Sequence, residues 1–167
     1  MSGPDHHHRY FAYGSNLHGP HMAALAPAAT TLGRARLVGW ELFVTSYGVL
    51  SIRRGGPDDA VLGLVWACSA ADLAALDRFE AIDEGLYERI EVDLDGPAVA
   101  YRALAPAEGR PRPGYLEASV LPPMRELSFP PQYVARVEGW LAEGTAGPAW
   151  VATPAPGQAF TVTAPRS

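Results

Sequence analysis

Residues 10–17, Tyr10-Phe11-Ala12-Tyr13-Gly14-Ser15-Asn16-Leu17, open on aromatic and small apolar side chains and then break into Gly-Ser-Asn. Aromatic residues favour the extended backbone, so Arg9 to Ala12 reads as a first strand. Gly14, Ser15 and Asn16 then form a turn. They tolerate left-handed or bridge backbone angles, and consecutive amides in such a turn point into one concavity that accepts an anion. A strand that carries a backbone nest at its end is the unit from which the rest of the chain is read.

Beyond the turn, His21 to Leu25 is a short helix bounded by Pro20 and Pro27, because proline ends helices and restricts the residue before it. Ala35 to Tyr47 and Val49 to Arg53 alternate as strands around Gly48, and Val61 to Cys68 reads as a mostly buried strand. Ser69-Ala70-Ala71-Asp72 is a helix start: serine caps free amides, and the acid three positions on suits the positive end of the dipole. That helix runs to about Phe79. Tyr87 to Leu94 alternates, with Ile90, Val92 and Leu94 on one face, and Ala98 to Leu104 adds a strand. Ala105 to Pro113 is a loop, and Tyr115 to Leu121 and Pro131 to Glu143 are helical.

Strands, one helix, more strands and then helices predict an α+β fold, a small and mostly antiparallel β-barrel with flanking helices. The chain has 167 residues, about one domain. We assign residues 1–143 to it, with a flexible His-containing N-terminus at 1–8. Residues 144–167 are a C-terminal extension rich in Ala, Pro and Thr, too poor in apolar surface to fold alone. Trp150 and Phe160 point to partial docking of that extension, with disorder as the alternative.

Composition excludes several functions. The formal charge of −5 offers no basic face for phosphate backbones, so nucleic acid is not a predicted partner. No window has the roughly eighteen apolar residues of a membrane span, and no apolar signal core opens the chain; a soluble cytoplasmic protein is expected. All thirteen basic residues are arginines, which removes lysine Schiff-base chemistry. Cys68, the single cysteine, sits in an apolar run and reads as core filler. His6, His7 and His8 belong to the tail, and His18 and His21 have no carboxylate or cysteine at ligand spacing, so neither a metal nor a cofactor is assigned. The sequence sets no oligomeric state.

The chemistry-bearing residue is an acid in an apolar place. On a helical wheel Glu80 falls between Leu73 and Leu76. If the helix frays first, the side chain reaches water; a hidden arginine would also explain it. If it is buried, desolvation raises its pKa, and Asp77 one turn away adds like-charge repulsion. Such a carboxyl accepts and returns a proton near neutrality, the profile of a general acid/base. No Ser-His-Asp order, Cys-His pair or phosphate-binding glycine loop offers a competing chemistry.

The stretch Phe11-Ala12-Tyr13-Gly14-Ser15-Asn16-Leu17, the glycine-containing strand Val61-Leu62-Gly63-Leu64-Val65-Trp66, and Leu76-Asp77-Arg78-Phe79-Glu80 followed by Tyr87 resemble the gamma-glutamylcyclotransferase-like family. The resemblance runs from about Arg9 to about Leu141. Ala81 departs from it, since many members carry glycine after the glutamate. The resemblance implies a cofactor-free reaction on a small γ-glutamyl substrate, cyclised to 5-oxoproline with release of an amine. It implies Glu80 as the general acid/base, with Tyr13, Gly14, Ser15, Asn16, Leu17, Tyr87 and Tyr133 as substrate-binding residues. Tyr115 is a candidate for the pocket wall, and Arg89 and Glu91 read as surface residues. Two functional classes stand at this point: that enzyme, or a non-catalytic module that keeps the pocket and binds a small anion.

Overall fold

The structure is a computed structural model and describes residues 8–104 and 107–150. Its centre is β1 (His8–Ala12), which pairs antiparallel with β5 (Ala60–Cys68) from His8↔Cys68 to Ala12↔Leu64. On its other edge β1 runs parallel to β7 (Pro97–Ala103), which pairs antiparallel with β6 (Tyr87–Asp93). Outside β5 lies β2 (Thr30–Val38), giving the order β2-β5-β1-β7-β6. Among the described strands no ladder joins β6 to β2; the main sheet is mostly antiparallel and flanked by helices, as the α+β class predicts. His8, expected in the tail, is the first residue of β1; His6, His7 and Phe160 lie outside the described residues.

The continuous strand expected over Ala35 to Tyr47 is two strands in different sheets. Gly39, at φ 84°, turns the chain between β2 and β3 (Trp40–Val44). β3 then pairs only with β4 (Leu50–Arg54), in register from Trp40↔Arg54 to Val44↔Leu50. The buried positions change phase at Gly39, from Leu37 in β2 to Trp40, Leu42 and Val44 in β3; exposed Val38 masks that change, because in the sequence Val38, Trp40, Leu42 and Val44 alternate without a gap. This hairpin docks on the main sheet through polar groups. The Ala103 amide donates to Ser51 Oγ at 2.8 Å, the Tyr87 hydroxyl donates to the Leu50 carbonyl at 2.9 Å, and the Leu50 amide donates to the Tyr115 hydroxyl at 3.2 Å.

Helices cover one side. α1 (Gly19–Leu25) follows a short 3₁₀ turn at Ser15–Leu17. α2 (Ala70–Phe79) starts as predicted: Ser69 Oγ accepts from the Asp72 amide while the Asp72 carboxylate accepts from the Ser69 amide. A π-helical turn, Leu116–Val120, leads into α3 (Leu121–Glu126), whose first turn carries proline where no intrahelical N–H is needed. α4 (Pro131–Ala142) is the last helix, and residues 144–150 return across the molecule.

One core joins these elements, with Phe11, Leu37, Ile52, Val61, Leu76, Tyr101, Leu116 and Met124 all fully buried. Burial of a side chain such as Phe11 stabilises the fold by about 1.5–3 kcal/mol. It requires β5 to come very close to the end of β1, and Gly63 makes that approach possible. A Cβ there would stand 2.2 Å from the Ala12 carbonyl oxygen and 2.5 Å from the Phe11 ring. Backbone cannot yield as a flexible side chain does. Gly63→Ala is therefore expected to lower stability by about 1–3 kcal/mol or more through overpacking. Urea denaturation of the variant beside wild type checks this, and an unchanged midpoint would contradict the close approach.

Candidate active site

α2 ends in a way that fixes Glu80. The Ala81 amide donates to the Arg78 carbonyl at 3.2 Å and the Ile82 amide to the Asp77 carbonyl at 3.1 Å, the paired bonds of a Schellman stop. Glu80 is the C-cap and Ala81 is the left-handed residue after it, at φ 54°. The helix thus stops at Phe79, yet the Glu80 side chain is not released to solvent. It stays in line with Leu73 and Leu76, both buried, and lines a cavity of about 30 Å³. Glycine suits the left-handed position best, and Ala81 holds it at a cost of about 1–2 kcal/mol.

Five tyrosines share that cavity with Glu80: Tyr10, Tyr13, Tyr87, Tyr101 and Tyr115. Burial raises the pKa of each, and the nearby Glu80 carboxylate adds to the rise. They therefore stay neutral and act as hydrogen-bonding hydroxyls on a largely apolar wall. Tyr13 donates to the Tyr101 carbonyl and Tyr87 to the Leu50 carbonyl, so both protons are committed to backbone. The Tyr10 hydroxyl accepts from Asn16 Nδ2 at 2.8 Å.

Glu80 is half-buried as a residue, and burial in the cavity wall pushes the pKa of its carboxyl up to about 8. The like charge of Asp77 is the second cause. Asp77 is itself held: its carboxylate pairs with the Arg89 guanidinium and accepts from the Tyr101 hydroxyl at 2.6 Å. Arg89, read as a plain surface residue, is solvent-exposed and yet reaches the site through this pair.

The turn at 14–16 closes the opposite wall. Gly14 is glycine because its neighbours are close: a Cβ would sit 3.1 Å from the Tyr115 hydroxyl and 3.7 Å from Leu50. Its geometry differs from the expected nest, since none of the three residues takes a positive φ and Ser15–Leu17 forms the 3₁₀ turn. Trp66 of β5 anchors the turn by donating to the Asn16 carbonyl at 3.1 Å. Asn16 is buried, and its Oδ1 has no hydrogen-bond partner among the described residues, which leaves an acceptor available at the cavity wall.

Of the residues singled out in the sequence, Tyr13, Gly14, Ser15, Asn16, Glu80, Tyr87 and Tyr115 line this one cavity. Leu17 packs in the core beside it instead. Tyr133 stands apart: its hydroxyl accepts from the Leu62 amide at 3.1 Å and its ring packs on Phe129, so it supports the β5 edge rather than the cavity. Tyr10, Tyr101, Val49, Leu50, Phe79 and Trp150 also line the cavity and were not assigned to it from the sequence. Tyr10 carried a signal, being spaced three residues before Tyr13 at the end of a strand that leads into the turn. Among the described residues no group of three His, Cys, Asp or Glu side chains converges as a metal site would require.

Comparison with known proteins agrees with this arrangement. Residues 10–117 match the family model described as gamma-glutamyl cyclotransferase, AIG2-like. Bovine gamma-glutamylcyclotransferase is 34% identical over 94 residues, which are 51% of this chain and 50% of that protein. The human protein of the same name is 36% identical over 104 residues, 56% of this chain and 55% of that one. The chain thus spans about half the length of the curated relatives it matches. A solved gamma-glutamyl cyclotransferase structure superposes with a TM-score of 0.70 at 26% identity, covering 78% of this chain and 86% of that one. YkqA from Bacillus subtilis shares the fold at a TM-score of 0.68 and 19% identity, over 87% of this chain and 57% of that one. With the matched segment holding every cavity residue except Trp150, the chain belongs to the gamma-glutamyl cyclotransferase, AIG2-like family.

Proposed function

We propose that the protein is an enzyme that cyclises a γ-glutamyl amine, amino acid or peptide to 5-oxoproline and releases the amine, with Glu80 as the proton carrier. The observation that carries this reading is a lone carboxyl enclosed beside the Gly14–Asn16 turn, with a proton affinity raised to about 8. Nucleophile and carbonyl belong to the same substrate, so the protein has to fold that substrate and move protons rather than supply a nucleophile. Ionised Glu80 takes a proton from the α-ammonium. The freed amine attacks the γ-carbonyl carbon, a C–N bond forms, and the carbonyl electrons move onto oxygen. The turn at 14–16 and its neighbouring hydroxyls stabilise that oxyanion. Protonated Glu80 then gives its proton to the leaving nitrogen, the old C–N bond breaks and the carbonyl re-forms in the lactam; the second proton of the ring nitrogen passes to the Glu80 carboxylate and on to the released amine, which leaves as an ammonium.

Other groups take supporting roles in this scheme. Asn16 Oδ1 is the acceptor that suits the substrate's ammonium. Tyr87 keeps its proton on the Leu50 carbonyl, so it offers substrate only a lone pair. Asp77 raises the proton affinity of Glu80, and its pairing with Arg89 holds the aspartate in place.

Glu80→Gln keeps the shape of the side chain and removes its proton transfer. The variant is expected to lose about 10²–10⁴-fold in 5-oxoproline release from γ-glutamyl-alanine or γ-glutamyl-lysine. Product assays on purified protein test this, and turnover like that of wild type would overturn the role of Glu80.

Stability gives a second, substrate-free check. The folded state binds the Glu80 proton more tightly, at about 8, than the unfolded chain does near 4.5. The stability tied to neutral Glu80 is therefore whole below pH 4.5 and is lost as pH rises through 8, on the order of a few kcal/mol in all. Glutamine does not titrate, so the stability of Glu80→Gln relative to wild type should grow between pH 5 and pH 9. Denaturant melts at those two values measure it, and a constant difference would mean the carboxyl is not desolvated.

A further inference from the structure

Trp150 is the one cavity-lining residue outside the segment that matches the family model. It arrives on a strap that leaves the end of α4 and recrosses residues 111–113. The Ala146 amide donates to the Pro111 carbonyl at 3.0 Å and the Trp150 amide to the Pro113 carbonyl at 2.9 Å. Arg112, itself buried, reaches out from beneath: Nε donates to the Pro148 carbonyl at 2.8 Å and the guanidinium also bonds the Ala149 carbonyl at 3.1 Å. Thr145 to Ala149 are exposed, whereas the Trp150 ring is inserted. Its Nε1 donates to Ser119 Oγ at 2.7 Å, its face stacks on His21, and it meets Tyr115 edge to face at 4.8 Å between centroids.

With the ring inserted, the space beside Glu80 is about 30 Å³. That is room for one or two water molecules, whereas a pocket for a small organic ligand offers several hundred Å³. A γ-glutamyl group does not fit beside Trp150, so a wall has to move. Tyr10, Leu50, Tyr87 and Tyr101 sit on strands held by ladders, and α2 is locked by its capping box and its Schellman stop. Among the described residues the strap belongs to no helix or ladder, and the Arg112 side chain bonds its Pro148 and Ala149 carbonyls; such segments open at much lower free energy than strands do.

We propose that residues 144–150 form a lid over the Glu80 cavity, with Trp150 as its plug and Arg112 as its latch, so that a γ-glutamyl substrate enters only when the ring withdraws. The lid regulates the cyclisation site and so rests on the function proposed above. Closed, it excludes water around Glu80; open, it exposes the turn at 14–16. The indole also gives the site an apolar roof that relatives matching only over 10–117 need not share.

The test reads access to Glu80 and needs no turnover. The full-length protein is treated with a water-soluble carbodiimide and glycine ethyl ester, and amidation of each carboxyl is followed by mass spectrometry. Trp150→Ala should label Glu80 roughly tenfold or more faster than wild type, with exposed Glu91 labelled at the same rate in both. Trp150→Phe restores a ring and should fall between. Hydrogen exchange on unaltered wild type adds a measurement independent of any variant's folding: the Ala146 and Trp150 amides should exchange far faster than the Val65 amide of β5. Equal Glu80 labelling in wild type and Trp150→Ala, or strap amides as protected as that of Val65, would overturn the lid. An absence of 5-oxoproline from wild type and variants alike would remove the proposed reaction and leave these access results standing.

Discussion

The closest contact between β1 and β5 sets the frame on which the site is built. Gly63 lets the Ala12 carbonyl and the Phe11 ring settle against β5, where any side chain would hold them off. The same pairing brings Trp66 of β5 opposite Tyr10, and Trp66 then holds the Asn16 carbonyl. One ladder thus fixes three things at once: the Tyr10 hydroxyl, the start of the 3₁₀ turn, and the wall that the turn presents. β1 also pairs on its other side with β7, whose Tyr101 reaches Asp77 of α2. Strand and helix are tied through that tyrosine, and Glu80 is therefore located by the sheet as much as by its own helix.

The Schellman stop resolves a conflict between helix geometry and solvation. A glutamate one residue earlier in α2 would point elsewhere on the wheel, and one in a frayed end would reach water. By ending the helix immediately after Phe79 and turning the chain at Ala81, the fold keeps Glu80 on the apolar stripe without burying further backbone donors. The cost appears twice, as a left-handed alanine and as a carboxyl whose charged form is destabilised. Both features sit at one helix end, which is where a fold stores strain if the strain has a use. Glycine would hold the same backbone angle at lower cost.

Much of this was legible in the residues. The strand before Gly14, the capping box at Ser69, the Glu80 stripe and the alternation of Tyr87 to Leu94 each rest on local periodicity or local capping, which tertiary contacts reinforced. The break at Gly39 was not legible, because Val38 continues the apolar spacing of Trp40, Leu42 and Val44 although it is exposed and Leu37 is the buried residue of β2. The edges of the sheet were hidden for a related reason: closure depends on which strands meet, and pattern reports only which face is apolar. Tyr133 was assigned to the site from motif position alone, yet its hydroxyl is spent on the Leu62 amide. Tyr101 was missed because a tyrosine in an Ala/Val-rich strand looks like core, and only the fold brings Asp77 to its hydroxyl.

A closed cavity of this size has a consequence for the proposed chemistry. In water, the oxyanion of a tetrahedral intermediate is stabilised by solvent that must reorganise as charge develops; fixed amides and hydroxyls in a dry site need not. Dryness also raises the proton affinity of Glu80, which makes its carboxylate a stronger base toward the substrate's ammonium than an exposed carboxylate is. An opening strap would admit water and substrate together, with Glu80 more easily ionised at that moment and so ready to receive a proton. Closure over the folded γ-glutamyl chain would then desolvate the carboxylate, raise its proton affinity and favour transfer of the α-ammonium proton to it. On this view the sequence outside the family match tunes when the carboxylate takes up the substrate's proton, and the segment within it supplies the groups that surround the reacting atoms.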